Sequence, residues 1–353
     1  CYLFGTYNIG HQHFVAAGQY LGFIEGFHLK LAHGLIKLLP LFVVAHVVGL
    51  GIEFIYAAKR GHAVEEGYLV TGALIPLIMP PDLPLWILTV AIVFAVIVGK
   101  EAFGGTGMNI WNIALLTRVF IFFAYPLTIA GDDVWVSGYE KIAPGIEASY
   151  GWWHTGFFNG LFSWMGLDTF QTGMVVADGF TGATPLALAY QGGWEKVTSV
   201  YTPMQMTWGA IPGSVGETSK VLIVLGAFIL VKTGIGSWRI MLGMLIGLIG
   251  TSYLLNILAL NPFFTITWTE HLMMGSFLFA MAFMATDPVT ATSTNKGKWI
   301  YGIMIGMIGL VIRVLNPAYP EGWMLAILFL NTFAPTIDHF VLESNIKKRL
   351  SRA

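Results

Sequence analysis

The stretch Asp178, Gly179, Phe180, Thr181, Gly182, Ala183 and Thr184, closed by Pro185, sets one alcohol beside residues too small to cover it. Gly182 and Ala183 leave the backbone bare next to the Thr184 hydroxyl, and Pro185 keeps a regular helix from running through the site. A phosphate-binding loop is excluded, because no Gly-rich run ending in Lys before Ser or Thr is present. The alternative is a surface turn that feeds an amphipathic segment.

Two further interruptions could carry chemistry. Between Lys100 and Asn109 the glycines at 104, 105 and 107 let the backbone unwind, and the helix expected after them begins with amide donors able to hold a carbonyl or an anion. A tight turn between helices is the alternative there. The run from Thr286 to Asn295 places Asp287 and Pro288 as a capped helix start, with more hydroxyls than capping needs. Glu53, Glu101, Arg118, Glu270, Arg313 and Asp338 fall within or beside apolar runs, where a charge is expensive and therefore a functional candidate. Arg118 and Arg313 could instead snorkel or pair with acids. A sodium ion prefers hard oxygen ligands, and Glu101 and Asp338 suit it best because each adjoins a Gly or Pro break.

These residues must be positioned by membrane helices. Of 353 residues 56% are hydrophobic and 10% charged, with 42 glycines, 25 phenylalanines and a mean hydropathy of +0.72. A soluble domain carries about 25% charged residues, so the composition is that of an all-α polytopic membrane protein. A net charge of −1 gives no electrostatic case for nucleic acid. With Cys1 the single cysteine, neither a disulfide framework nor a cysteine metal or iron-sulfur centre can be built from this chain. The histidines are scattered, and the nearest pair, His11 and His13, is expected in a solvated N-terminal segment. Cys1 to Gly10 lacks the basic start and apolar run of a signal peptide, and the chain starts without Met, so sequence before Cys1 is expected.

A spanning helix needs about 20 apolar residues. Residues 35–57, 84–100, 111–130, 236–256, 268–285 and 298–316 meet that test, and 68–80, 218–233 and 322–338 are shorter. Residues 11–34 make a tenth helix only if Glu25, His28, Lys30 and His33 are tolerated. Nine or ten transmembrane helices follow, divided as an N-terminal segment 1–34, a first half 35–130, a long connection 131–217, a second half 218–342 and a basic tail 343–353. Lys59, Arg60, Lys100, Lys232, Arg239, Lys296, Lys298 and the tail lie on one side, which assigns that side and the C-terminus to the cytoplasm. The connection, with Thr184, then lies outside it. Trp135, Trp152, Trp153, Trp164 and Trp194 suit the membrane interface there. The runs 66–82 and 321–338 echo each other in Glu-Gly starts and Pro-to-Asp endings. Each is too short to cross whole, and the charge pattern points them oppositely, as in inverted repeats with broken helices.

Beyond these properties, Glu101 to Asn109, Gly179 to Thr184, Ile211 to Glu217, Ser237 to Ile240, Phe283 to Val289 and Arg313 to Ala326 follow one another as they do in the B-type membrane subunits of bacterial Na⁺-translocating NADH:quinone oxidoreductases, a family that the chain resembles over nearly its whole length. The D-type subunits of the related Rnf ferredoxin:NAD⁺ complex share the Thr184 motif and the Thr-Asp-Pro block. Asn316 to Gly322 and the ending Pro335 to Arg349 are more similar to the B-type family. One departure is Ile113, where the family usually has Pro. The resemblance implies a redox subunit of a sodium pump in the bacterial inner membrane, with the Thr184 loop periplasmic. It implies FMN joined through its phosphate to Thr184 by a dedicated flavin transferase that recognises Asp178, Thr181, Gly182 and Ala183. It further implies noncovalent riboflavin, a quinone acceptor near Gly104 and Gly105, sodium uptake linked to Asp338, and partners that include an NADH-oxidising flavoprotein and a second FMN-bearing subunit. Two other readings stay open: an Rnf-type subunit with ferredoxin-linked partners, and a passive channel or small-solute transporter, which leaves the Thr184 motif unexplained.

Overall fold

Apolar runs of this length become helices because only internally hydrogen-bonded backbone survives in hydrocarbon. A computed structural model of the chain describes residues 1–61, 66–138, 180, 182–316 and 322–352, and among them there are helices and no strand. The helices are α1 Tyr2–Ala16, α2 Phe27–Arg60, α3 Gly67–Ile78, α4 Leu85–Gly99, α5 Ile113–Ala124, α6 Pro185–Val200, α7 Pro203–Trp208, α8 Lys220–Lys232, α9 Trp238–Leu258, α10 Trp268–Met273, α11 Phe277–Phe279, α12 Asn295–Leu315 and α13 Trp323–Leu350. Among the described residues five stretches are long and apolar enough to cross a membrane: α2, Leu85–Phe103 (α4 with the 3₁₀ turn after it), α9, α12 and α13. The chain is thus a multi-pass membrane protein.

Several expected crossings are shorter or broken. Residues 11–34 do not form one helix, because α1 ends at Ala16 and α2 begins at Phe27, after Gly18 and Gly26 take left-handed turns. The expected span 268–285 is interrupted at Met274, Gly275 and Ser276, and resumes as α11 running into π-helical Ala280–Met284. Helix α5 covers only Ile113–Ala124 of the expected 111–130. Its Asn112 cap accepts from Leu115 N (3.2 Å), so one of the expected amide donors is already used. Ile113 occupies the first helical position, where a proline would also fit.

Contacts fix the directions of the helices. Lys37 pairs with Asp82 just before α4 (2.6 Å), and Glu53 pairs with Lys100 just after it, so α2 and α4 run parallel. In the second half α9 and α12 also run parallel, with Gly243 against Gly302 and Gly247 against Gly306. A Cβ on Gly247 would strike Ile303 O, and one on Gly306 would strike Met244 O, so the two backbones touch as small-residue membrane interfaces do. Helix α13 returns antiparallel: Trp323 lies on Gly309 near the end of α12, and Asp338 reaches Thr294 at its start. Because Arg118 in α5 and Arg313 near the end of α12 line one cavity, α12 runs opposite to α4. The parallel pair α2 and α4 therefore runs opposite to the parallel pair α9 and α12.

The echo identified in sequence does not extend to helix length. Residues 322–338 are not a half-length run, since α13 continues through Pro335 for 28 residues. A short, interrupted element is found instead at α10 and α11, which precede Asp287 and Pro288. Nor is Asp287 the cap of α12; it accepts from Val289 N (3.1 Å) and Thr290 Oγ1 (3.0 Å), while Thr294 caps the helix by accepting from Gly297 N (3.1 Å).

Gly247→Leu should lower stability in detergent by about 1–3 kcal/mol, the usual cost of overpacking, whereas Gly250→Leu, whose site is open, should change it by less than about 0.5 kcal/mol. Thermal unfolding of the two variants beside the parent checks this. Equal Tm values for all three would contradict the close α9–α12 contact.

Candidate functional site: a cationic cavity at Thr184

Thr184 sits where the sequence requires a helix start. Pro185 is the first residue of α6, and Thr184 caps it, its Oγ1 accepting from Ala187 N (3.3 Å) and donating to Asp132 Oδ1 (3.1 Å). Gly182 takes the left-handed backbone of the turn, and the Tyr201 hydroxyl donates to Ala183 O (2.9 Å), which fixes the loop from behind. Gly182 and Ala183 are buried; Asp178 and Thr181 lie outside the described residues, as do Trp152, Trp153 and Trp164.

The Thr184 side chain opens on a cavity of about 210 Å³ that also takes in Asp132, Arg118, Lys220 and Arg313. Neither arginine snorkels. Arg313 is fully buried, stands over the Trp323 ring (5.0 Å) and donates to His271 O (3.2 Å) and Met274 O (3.3 Å). Arg118 lies over Trp135 (5.3 Å), so that tryptophan serves the cavity wall rather than the headgroup layer. Lys220 begins α8 and donates to Glu217 O (2.7 Å) and Gly275 O (3.2 Å).

The floor is a buried segment without helix, residues 209–219, lodged between the halves. Asn8 Nδ2 donates to Ile211 O (2.9 Å), Gly216 N to Leu77 O (2.8 Å) and Ser214 N to Glu217 Oε1 (2.8 Å). Irregular backbone at such depth is tolerated where protein buries it or it lines a cavity. Glu217 Oε2 and Thr218 Oγ1 are buried, belong to residues lining the cavity, and have no hydrogen-bond partner among the described residues. Orphaned acceptors of this kind suit a guest that brings N–H or O–H donors. The three cations and the amides at the start of α6 suit a guest that is also anionic.

The other expected site residues lie at the opposite end of the bundle. Gly104 and Gly105 take φ of 123° and 100° directly after the turn Glu101–Phe103. Arg60 Nη1 donates to Glu101 Oε2 (3.0 Å) and its Nη2 to Glu101 O (2.7 Å). Asp338 accepts from Ser293 N (2.7 Å), Ser293 Oγ (3.0 Å), Thr294 N (3.1 Å) and Thr294 Oγ1 (2.5 Å), tying α13 to the start of α12. Both acids are thus engaged within the protein, and neither approaches Thr184.

His11 and His13 are buried, not solvated. His11 meets Lys30 Nζ (3.0 Å), and burial, then the Lys30 charge, brings its pKa down to about 4. His13 stacks on His33 and meets Ser137 O (2.7 Å); burial lowers its pKa, partly offset by that bond. His11 links α1 to α2, and His13 links α1 to α2 and to the start of the long connection. Asp132, Lys220 and Thr218 do not stand out in the sequence. Lys220 and the Pro-Gly segment before it carry the one available signal, a charge and a break without helical period at membrane depth.

Comparison with known proteins covers the chain almost end to end. A family model described as the NQR2, RnfD, RnfE family matches residues 1–347. The B subunit of the Na(+)-translocating NADH-quinone reductase of Ectopseudomonas mendocina is 42% identical over 99% of this chain and 82% of its own. That of Chromohalobacter salexigens is 42% identical over 99% of this chain and 80% of its own, and that of Klebsiella pneumoniae 43% over 90% and 70%.

Asp338→Ala should cost about 1–3 kcal/mol, because it leaves the Ser293 and Thr294 amides without their acceptor. Unfolding in detergent measures the loss; full stability in the variant would contradict the tie between α13 and the start of α12.

Proposed function

The chain belongs to the NQR2, RnfD, RnfE family, and on that premise we propose that it carries electrons through FMN esterified to Thr184 in a Na⁺-translocating NADH-quinone reductase. The observation that supports this most is the site itself: a hydroxyl at a helix N-terminus, opening on a cavity with three cations and two orphaned buried oxygens. A phosphate on Thr184 Oγ1 would stand at the start of α6, where amides and the helix dipole favour an anion. Arg118, Lys220 and Arg313 offset negative charge on a guest in the cavity, and Glu217 and Thr218 accept from donors at its edge. When bound, FMN supplies the electron acceptor and donor; the chain supplies the seat, the charge and the exclusion of water.

The remaining assignments are expectations of the same reading. Riboflavin is a second, noncovalent flavin of this subunit. Quinone is reduced near Gly104 and Gly105, at the end where the backbone breaks between α4 and α5 and where Trp111 Nε1 bonds Thr332 Oγ1 (3.0 Å) across the two halves. Glu101 and Asp338 take part in sodium uptake, which requires each to exchange its present partners for the ion. The C-terminus and the lysine-rich end face the cytoplasm, and Thr184 faces the periplasm across the bacterial inner membrane. The partners are an NADH-oxidising flavoprotein, a second FMN-bearing subunit, and the flavin transferase that recognises Asp178 to Thr184. The division at 34, 130, 217 and 342 follows this arrangement.

The purified complex should carry FMN mass on the peptide that contains Thr184, Thr184→Ser should retain it, and Thr184→Ala should lose all of it. An unmodified peptide from cells that possess the transferase would sink the assignment. Asp338→Asn and Glu101→Gln should each raise the Na⁺ concentration for half-maximal quinone reduction about tenfold or more while FMN stays attached, a shift that corresponds to ~1.4 kcal/mol of lost binding. An unaltered Na⁺ dependence in both would remove those acids from sodium uptake.

A further inference from the structure

Two of the three cavity cations do a second task. Lys220 donates to Gly275 O (3.2 Å) and Glu217 O (2.7 Å), and Arg313 donates to His271 O (3.2 Å) and Met274 O (3.3 Å). His271, Met274 and Gly275 are the closing residues of α10 and the break after it, where carbonyls lack helical partners. The same two side chains line the cavity onto which Thr184 opens. The α10–α11 break is therefore held by cations that also face the guest. Gly275 takes φ of 62°, and a Cβ there would stand 3.0 Å from Arg313 Nη2, so cation and break are in direct contact. Below the break, Ala280–Met284 winds as a π-helix, a form frequent at functional sites. Phe279, just before this stretch, packs on Gly216 of the buried floor, and Phe283 within it packs on Gly226 of α8.

The geometry points to Lys220 and Arg313 as positioning residues that pass the charge state of the cavity to the α10–α11 break. The inference rests on the assignment of FMN to Thr184. Each electron reaches the cavity from NADH oxidised elsewhere in the complex and leaves it toward quinone. Where no proton accompanies the electron, the cavity gains one unit of negative charge on reduction and loses it on reoxidation. In a water-poor site that charge competes for the ammonium and guanidinium groups with the neutral carbonyls of residues 271, 274 and 275. Reduction then weakens the hold on the break and reoxidation restores it, which ties a redox event at one end of the bundle to a discontinuous helix within it. Membrane transporters place their ion pathways at such discontinuities.

Hydrogen–deuterium exchange of the whole purified complex, oxidised and dithionite-reduced, tests this on the peptide covering residues 270–280, with the flavin mass on the Thr184 peptide measured in the same samples. Reduction should speed exchange at least threefold in the parent complex. Lys220→Gln should keep the flavin, lower its midpoint potential and abolish the acceleration, and Lys220→Arg should restore both. A Thr184→Ala complex, which keeps Lys220 and its fold, should show no acceleration. Equal exchange in the oxidised and reduced flavin-loaded parent overturns the inference while leaving FMN on Thr184 intact. So does an acceleration that survives in Thr184→Ala, because its source is then another centre. Absence of flavin mass in the parent overturns the assignment to Thr184 and this inference with it.

Discussion

No solvent inside a bilayer can satisfy a backbone group, so every place where a helix of this chain stops within the hydrocarbon must find its partner in the protein. That constraint explains where the charged residues are. Lys220 and Arg313 close the carbonyls after α10, Asp338 and Thr294 close the amides that open α12, Asn112 closes those of α5, and Asn8 holds the floor segment at Ile211. A sequence with only 10% charged residues spends several of them in this way. The polar groups gather at two levels, around Thr184 and around Glu53, Lys100 and Glu101, rather than being scattered through the core.

The two levels differ in kind. Around Glu53, Lys100, Glu101 and Arg60 charge is matched in ion pairs, with Lys100 and Glu53 both buried. Such pairs gain little net stability, since desolvation offsets their attraction, yet losing one partner strands the other, so they fix the register of α2 against α4 strongly. Around Thr184 the described cavity residues bring together Arg118, Lys220, Arg313, Asp132 and Glu217, and the buried Glu217 Oε2 and Thr218 Oγ1 have no hydrogen-bond partner among the described residues.

Much of this was legible in the chain. The uninterrupted runs within α2, α4, α9 and α12 announced themselves by length and apolarity. Thr184 stood out because small neighbours and a following proline fix its environment locally, whatever the rest of the fold does. What composition could not show was the break at Gly275. Residues 268–285 read as one largely apolar run despite Thr269, Glu270 and His271 near its start, and the left-handed turn at Gly275 lies against Leu186 and Arg313, both distant in sequence. Pro335 misled in the other direction, since neighbouring helices support a proline inside α13 and keep it continuous. The cavity itself was hidden for the same reason. Asp132 lies 52 residues before the threonine it binds, and Lys220 and Arg313 come from other segments again.

What fills that cavity decides between a flavin seat and a merely structural pocket. The most direct measurement is a density map of the assembled complex, purified with its flavins, at a resolution that separates side chains around Thr184. The predicted result is density continuous from Thr184 Oγ1 through a phosphate into the cavity, with Arg118, Lys220 and Arg313 around a ring system and Glu217 at its edge. A bare Thr184, with the flavins of the complex seated elsewhere and the cavity closed or filled by lipid, would contradict it.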